Sequence, residues 1–242
     1  MSEYITDSAA LTHTADRIRA KTGGTGPITW DAAKGFGDAV DAIPAGGGAD
    51  AIVSRITGSI TAYSNDTITT MIEYSFASCA ALASVDLPKV KVIRHHAFLD
   101  CIKLANLNLP ALQRIEYNTF RNCGSITEFI TTSEFNSRLD QSTFEGCSGL
   151  EKADFYKINA DQGISSFALA CANLVTLIIR NTDAVPKADS RMFGAASTKM
   201  NTGEGHIYVP ATMVASYKAA TNWSKYADQI RAIEDYPDIT GG

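Results

Sequence analysis

No stretch of 18 consecutive apolar residues occurs in this 242-residue chain, so no membrane-spanning helix and no membrane insertion are expected. Charge is not biased strongly to either sign: 21 Lys and Arg stand against 26 Asp and Glu, a formal −5. Between Phe76 and Ile179 the two signs nearly cancel and are scattered. A nucleic-acid partner would require a basic face, so none is expected. Met1-Ser2-Glu3-Tyr4-Ile5 has neither a basic region nor an apolar run, which argues against a conventional signal peptide. There are only five cysteines, none in a Cys-x-x-Cys pair, so a metal site is not expected. Gly23-Gly24-Thr25-Gly26 lacks the following Lys-Ser or Lys-Thr of a phosphate loop and reads as turn material.

What the chain does contain is a repeat. From Phe76 to Ile179 a cysteine is followed by apolar residues three, six and usually eight positions on: Cys79-Leu82-Val85-Leu87, Cys101-Leu104-Leu107-Leu109, Cys123-Ile126-Phe129, Cys147-Leu150-Ala153-Phe155 and Cys171-Leu174-Leu177-Ile179. Thr131 breaks the pattern in the third segment. Phe76, Phe98, Phe120 and Phe144 stand three residues before the first four cysteines, and the fifth slips by one to Phe167. Ile93, Ile115 and Leu139 precede the second to fourth phenylalanines by five. Successive cysteines are 22, 22, 24 and 24 residues apart, a period that fits one solenoid coil of strand and return. One such coil cannot hide its apolar side chains alone and must stack on a neighbour. All five cysteines fall on the repeat, so they read as free, buried, weakly polar packers rather than as chemistry.

Around the stack the chain divides into further parts. Residues 6–22 and the run Trp30-Ala33-Phe36-Val40-Ile43 suggest a two-helix module over 1–44, and 45–50 has flexible linker composition. Residues 51–75 read as a hairpin capping the first coil, 76–206 as the solenoid, and 207–242 as a strand and helix sealing its far end with Tyr217 and Trp223. Phe193 is a candidate sixth phenylalanine. The fold class expected is therefore an α/β solenoid of about six coils with a C-terminal helical cap, preceded by a small helical module.

Chemistry is scarce. His95 and His96 have no nucleophile at meaningful spacing and read as a solvated turn. Asp86 and Asp154 point outward but lie three rungs apart, about 14 Å at the usual strand spacing, beyond the ~6.5–9.5 Å of an inverting carboxylate pair. No catalytic residue, cofactor or metal is expected, and the chain reads as a non-enzyme. Alternation places Ser84, Asn106, Glu128, Lys152 and Thr176, and Asp86, Asn108, Ile130, Asp154 and Ile178, on the outer strand face. Apolar Ile130 and Ile178 are unusual there, and Tyr156 and Arg180 add types favoured in contacts. The expected binding face is Ile130, Asp154, Tyr156, Ile178 and Arg180.

The F-x-x-C-x-x-L-x-x-V-x-L-P coil resembles the BspA-type leucine-rich repeats of bacterial surface adhesins and of virion proteins of phages that infect gut bacteria. Ile207-Tyr208-Val209-Pro210 with Ser216-Tyr217-Lys218-Ala219-Ala220-Thr221-Asn222-Trp223-Ser224 is similar to the segment that closes such arrays. Ala15-Asp16-Arg17-Ile18-Arg19-Ala20-Lys21-Thr22-Gly23 and the later Gly35-Phe36 resemble a module that opens phage tail and fibre proteins. These resemblances imply a leucine-rich solenoid on a virion, as a tail fibre or receptor-binding protein. Its first module would dock on other virion proteins, its repeats would meet a host surface protein or glycan, and it would form a homo-oligomer, a trimer as fibres generally do. The alternative is a bacterial cell-surface adhesin, for which an export signal and wall anchor would be expected.

Overall fold

The computed structural model describes residues 60–135 and 137–240. The two-helix module, the linker and the first part of the expected hairpin lie outside the described residues. Each coil pairs an outer strand with a two-residue return strand. In chain order they are β1 (Ala62–Ser64) and β2 (Thr70–Met71), β3 (Ser84–Asp86) and β4 (Val92–Ile93), and β5 (Asn106–Asn108) and β6 (Arg114–Ile115). Then come β7 (Glu128–Ile130) and β8 (Glu134–Phe135), β9 (Lys152–Phe155) and β10 (Lys157–Ile158), and β11 (Thr176–Ile179). Every pairing among them is parallel and joins the same element of adjoining coils, as stacked coils require, with one break between β5 and β7 and between β6 and β8. The expectation of a leucine-rich solenoid is thereby met.

Residues 62–71 differ from the expected hairpin. β1 pairs with β3 and β2 with β4, in separate sheets, so this segment is a further coil and not an antiparallel cap. Its Tyr63 falls in register with Val85, so the repeat extends one coil earlier than the cysteines signal.

Two left-handed turns per coil bend the chain back on itself. Tyr74, His96, Asn118 and Ser142 occupy one column at φ 56, 59, 55 and 55, and Ser78, Asp100, Asn122 and Gly146 a second. At Gly146 a Cβ would meet the end of the Asn122 side chain, which would have to turn aside, and glycine takes the left-handed backbone without strain. Between the turns the phenylalanines form a buried ladder: Phe76 on Phe98, Phe98 on Phe120 and Phe120 on Phe144, with centroids 5.6, 5.4 and 5.5 Å apart. Phe167 leaves that ladder. The slip of one residue sets it at a left-handed turn under the Arg191 guanidinium, while buried Ala168 and Leu169 take the interior place. Phe193 is buried, as its spacing suggests.

The last third is built differently from one long cap helix. A short helix, α1 (Lys199–Thr202), leads into β12 (His206–Val209), which continues the sheet beside β11. Helix α2 (Val214–Ala219) then stops where Ala220 turns extended, and a 3-10 segment, Ser224–Gln229, gives way to β13 (Ile230–Ala232). Ile230 thus lies in a strand paired with β12, not on a helix. A last helix, α3 (Pro237–Thr240), ends the described chain. Tyr217 and Trp223 do seal the stack: both are fully buried, edge to face at 5.1 Å, and Trp223 Nε1 donates to the Pro186 carbonyl at 2.7 Å. No helix among the described residues is long and apolar enough to cross a membrane.

Candidate recognition surface

The outer strands present one ladder of Ser64, Asp86, Asn108, Ile130, Asp154, Ile178 and Tyr208, and the sequence-expected face lies on its later rungs. The structure divides that face. Ile130 is 48% exposed and Tyr156 51% exposed. Ile178, by contrast, has no exposed surface, and Asp154 is buried too. Alternation does aim both outward, but their neighbours close over them. Arg180 reaches back to Asp154, in register with Ile178 on one flank, with Nε at 2.9 Å and Nη2 at 2.8 Å, a two-pronged pair. On the other flank Tyr208 is in register with Ile178 and packs against Tyr236 at 5.3 Å. The hydrogen bonds from Arg180 to Asp154 hold the guanidinium in its charged form still more firmly than usual. Asp154, Ile178 and Arg180 therefore act as a structural clasp, and Ile130 and Tyr156 remain as the accessible members.

Thr131 explains the position of Tyr156. Its hydroxyl accepts the Tyr156 backbone N–H at 2.9 Å, a contact that the aliphatic residue usual at this position could not make. The irregularity in the repeat thus fixes the strand end from which Tyr156 projects.

Beside Ile130 lies a groove of about 510 Å³ that the sequence did not signal, lined by Asp86, Asn106, Leu107, Asn108, Glu128 and Ile130 among others. Among the described residues no strand pairing joins β5 to β7, although the sheet continues from β1 to β5 and from β7 to β13. The inward rung reads Tyr63, Val85, Leu107, Phe129, Ala153 and Leu177, and the Phe129 ring fills the interior against Phe120, Phe144 and Phe155 at 5.8, 4.7 and 6.0 Å. Leu107, on the last strand before the break, is half-buried and lines the opening. The return strands also part here, because the third coil is two residues longer. Thr132 and Ser133 hydroxyls, donating to the Pro110 and Leu112 carbonyls at 3.0 and 2.8 Å, replace the missing ladder bonds. The groove wall is pre-ordered: Asn108 Nδ2 donates to Asp86 Oδ1 at 2.7 Å. Such a surface offers amide, carboxylate and isoleucine side chains and fits recognition by contact.

The return side also carries a cluster that alternation could not show: Tyr74, His95, His96 and Tyr117 share ring contacts. Aligning coils on their phenylalanines would have exposed it, since all four fall two or three residues before Phe76, Phe98 or Phe120.

Parallel strands in register, a buried phenylalanine ladder, a thiol in each of five coils and a terminal cap together define a leucine-rich repeat solenoid. The chain belongs to the BspA-type leucine-rich repeat family, six copies of whose repeat region match residues 69–198, more than half of its length. Among solved structures it is similar to a leucine rich cell surface protein from Faecalibacterium prausnitzii A2-165, at 19% identity and a TM-score of 0.51. That likeness, one of fold, covers 64% of this chain and 41% of the other. It is also similar to a leucine rich repeat protein of T. pallidum, at 25% identity over 39% of this chain and 56% of that one, with a TM-score of 0.33. The chain thus spans less than two thirds of either protein. No curated protein matches it.

Proposed function

We propose that this chain is a surface-displayed, non-enzymatic recognition protein of the adhesin type, which meets its partner through the outer strand face around Ile130 and Tyr156. The observation that carries the reading is the groove where β5 and β7 part, with an isoleucine held 48% exposed on its rim among Asp, Asn and Glu side chains. An exposed apolar side chain within a polar, pre-ordered surface is the arrangement found at the centre of contact sites. Family membership and the likeness to a bacterial cell-surface protein support a cell surface as the place of display. On the strand face Asp154 is paired with Arg180, and the five thiols are buried.

A second reading, a phage tail fibre or receptor-binding protein acting as a trimer and docked on the virion through residues 1–44, rests on the resemblance of residues 15–23 and 35–36 to tail modules. Gold-labelled antibody against the solenoid separates the two. Label on the envelope of the producing bacterium supports the adhesin, and label on tails of purified particles supports the fibre. Label confined to the cell interior would contradict both.

A further inference from the structure

Among the described residues every sheet of the solenoid ends or begins at one junction between coils. One outer sheet stops at β5 and the next starts at β7, while one return sheet stops at β6 and the next starts at β8. The isolated bridges obey the same limit: Leu139 pairs with Ile164 and Ile164 with Ala188, but Ile115 does not pair with Leu139. Every other junction from β1 to β13 is crossed by pairing on the outer side.

What crosses this junction lies mainly on the third side of the coil, between the two left-handed turns. Asn118, Phe120 and Asn122 donate backbone N–H groups to the Gln141, Thr143 and Glu145 carbonyls at 3.0, 3.0 and 2.8 Å. The Cys147 thiol bonds the Phe120 carbonyl at 3.0 Å, the Phe120 and Phe144 rings stack at 5.5 Å, and Arg121 is ion-paired with Glu145 at 3.4 Å. On the strand and return sides the bonds come from side chains. Ser125 Oγ donates to the Ile102 carbonyl at 2.8 Å where the strand side begins. At the corner between strand and return, opposite the turns, the Thr132 and Ser133 hydroxyls hold the Pro110 and Leu112 carbonyls.

The strand edges that face each other across the break keep their bonding groups. Asn106 donates its N–H to Ala83 and Asn108 accepts that of Leu87, so both serve β3. Alternation then turns the backbone groups of Leu107 and Leu109 toward β7. Thr127 accepts from Lys152 and Thr131 donates to Asp154, which turns those of Glu128 and Ile130 toward β5. Facing groups with no ladder bond between them lose none when the gap widens into water. Grooves of about 510 and 290 Å³ mark the two unpaired sides, the first lined by Asn108, Glu128 and Ile130 among others, the second by Arg114, Arg138 and Asp140 among others.

We propose that the solenoid is two rigid stacks, the coils up to Cys123 and those from Gly124 on, hinged along the turn side between residues 118–122 and 141–145 and latched at the opposite corner by the Thr132 and Ser133 hydroxyls. A body held by backbone bonds along one side and by two hydroxyls at the far corner bends about that side. Release of the latch widens the groove beside Ile130. A partner that touches both Asn108 and Ile130 touches both stacks, and so sets the angle between them. The hinge goes beyond the recognition reading and holds whether or not the strand face meets a partner.

The test is pulsed electron spin distance measurement on the full chain, with labels on two pairs of introduced cysteines, the five native thiols being buried. Ser84 with Lys152 spans three rungs across the break, and Glu128 with His206 spans three rungs within the second stack, each roughly 14 Å at ordinary strand spacing. Thr132→Ala with Ser133→Ala removes the latch. In that variant the distances between positions 84 and 152 are expected to be longer and at least about twofold more widely spread than in the parent, and those between 128 and 206 unchanged. Thr132 is exposed, so Thr132→Ala alone supplies the same comparison if the double variant does not fold. Distances across the break that keep the parent's mean and spread in the latch variant would overturn the hinge. Equal broadening of both pairs would overturn it too, because that is a general loosening of the coils and not bending at one junction. Neither pair uses Ile130 or Tyr156, so the outcome is separate from that of the recognition reading.

Discussion

Cys123 donates its thiol hydrogen to the carbonyl oxygen of Phe98, one coil earlier, at 3.1 Å. The same bond joins Cys101 to Phe76 at 3.0 Å, Cys147 to Phe120 at 3.0 Å and Cys171 to Phe144 at 3.2 Å. The thiol therefore stitches each coil to the one before it, which gives a physical reason for cysteine rather than alanine in this slot. Burial pushes the thiols up, Cys147 to about 12, so they stay protonated and inert near neutrality. An aromatic disulfide reagent at about pH 8 should find no reactive thiol in the folded chain and five in denaturant. Reaction of even one before unfolding would contradict the ladder.

Phe120 stands between Phe98 and Phe144 and has no exposed surface. Phe120→Ala should cost about 3–5 kcal/mol, read as a lowered denaturant midpoint. Phe167→Ala, outside the ladder and half-buried, should cost clearly less.

Arg180→Ala leaves the buried Asp154 carboxylate without its cation. The loss should be about 2 kcal/mol, less than for a wholly buried pair because Arg180 keeps some water contact. Asp154→Asn with Arg180→Ala should recover part of it in a double-mutant cycle. Equal stability of Arg180→Ala and parent would show the clasp to be ornamental.

The parting of β5 and β7 predicts a local weakness. Leu87 N–H bonds the Asn108 carbonyl at 2.9 Å and Lys152 N–H the Thr127 carbonyl at 3.2 Å, but the equivalent amides of Leu109 and Glu128 have no such partner. In native-state hydrogen exchange Leu109 and Glu128 should exchange at least about tenfold faster than Leu87 and Lys152.

Burial lowers the pKa of His96 from its ordinary 6.5, and His95 and Arg121 add to this against Asp100. The unfolded chain then takes up its proton at higher pH than the folded one. Stability from His96 is full above about pH 6.5 and is lost as pH falls through that value toward the folded pKa. Melting temperature should drop from about pH 7 to about pH 5, and His96→Gln should flatten the slope. It should not abolish it, because His206 is shifted the same way by burial and Arg231. An unchanged slope in His96→Gln would contradict the assignment.

The ladder residues were legible because every coil repeats the same slot, so Cys79 to Cys171 and Phe76 to Phe144 confirm one another. Exposure on the outer face was not, since it depends on residues remote in sequence. Ile130 and Ile178 share one parity, yet Arg180, Tyr208 and Tyr236 cover only the second. The groove depends on the missing pairing of β5 with β7, which no spacing or residue type in the repeat marks. Over the described residues 62–71 the hairpin reading gives way to a coil, because the segment carries the strand spacing of a coil without the repeat's cysteine.

The central claim is that the outer strand face around Ile130 makes the contact. Saturable binding of the labelled full chain to intact cells, compared with Ile130→Asp and with Ile102→Asp, tests it most directly. Ile102 is 52% exposed and lies at the turn after Cys101, away from the groove, so it controls for a general loss of apolar surface. The expected result is binding reduced at least tenfold by Ile130→Asp and retained by Ile102→Asp. Binding that survives Ile130→Asp in a folded chain, or that falls equally in both variants, would contradict the account.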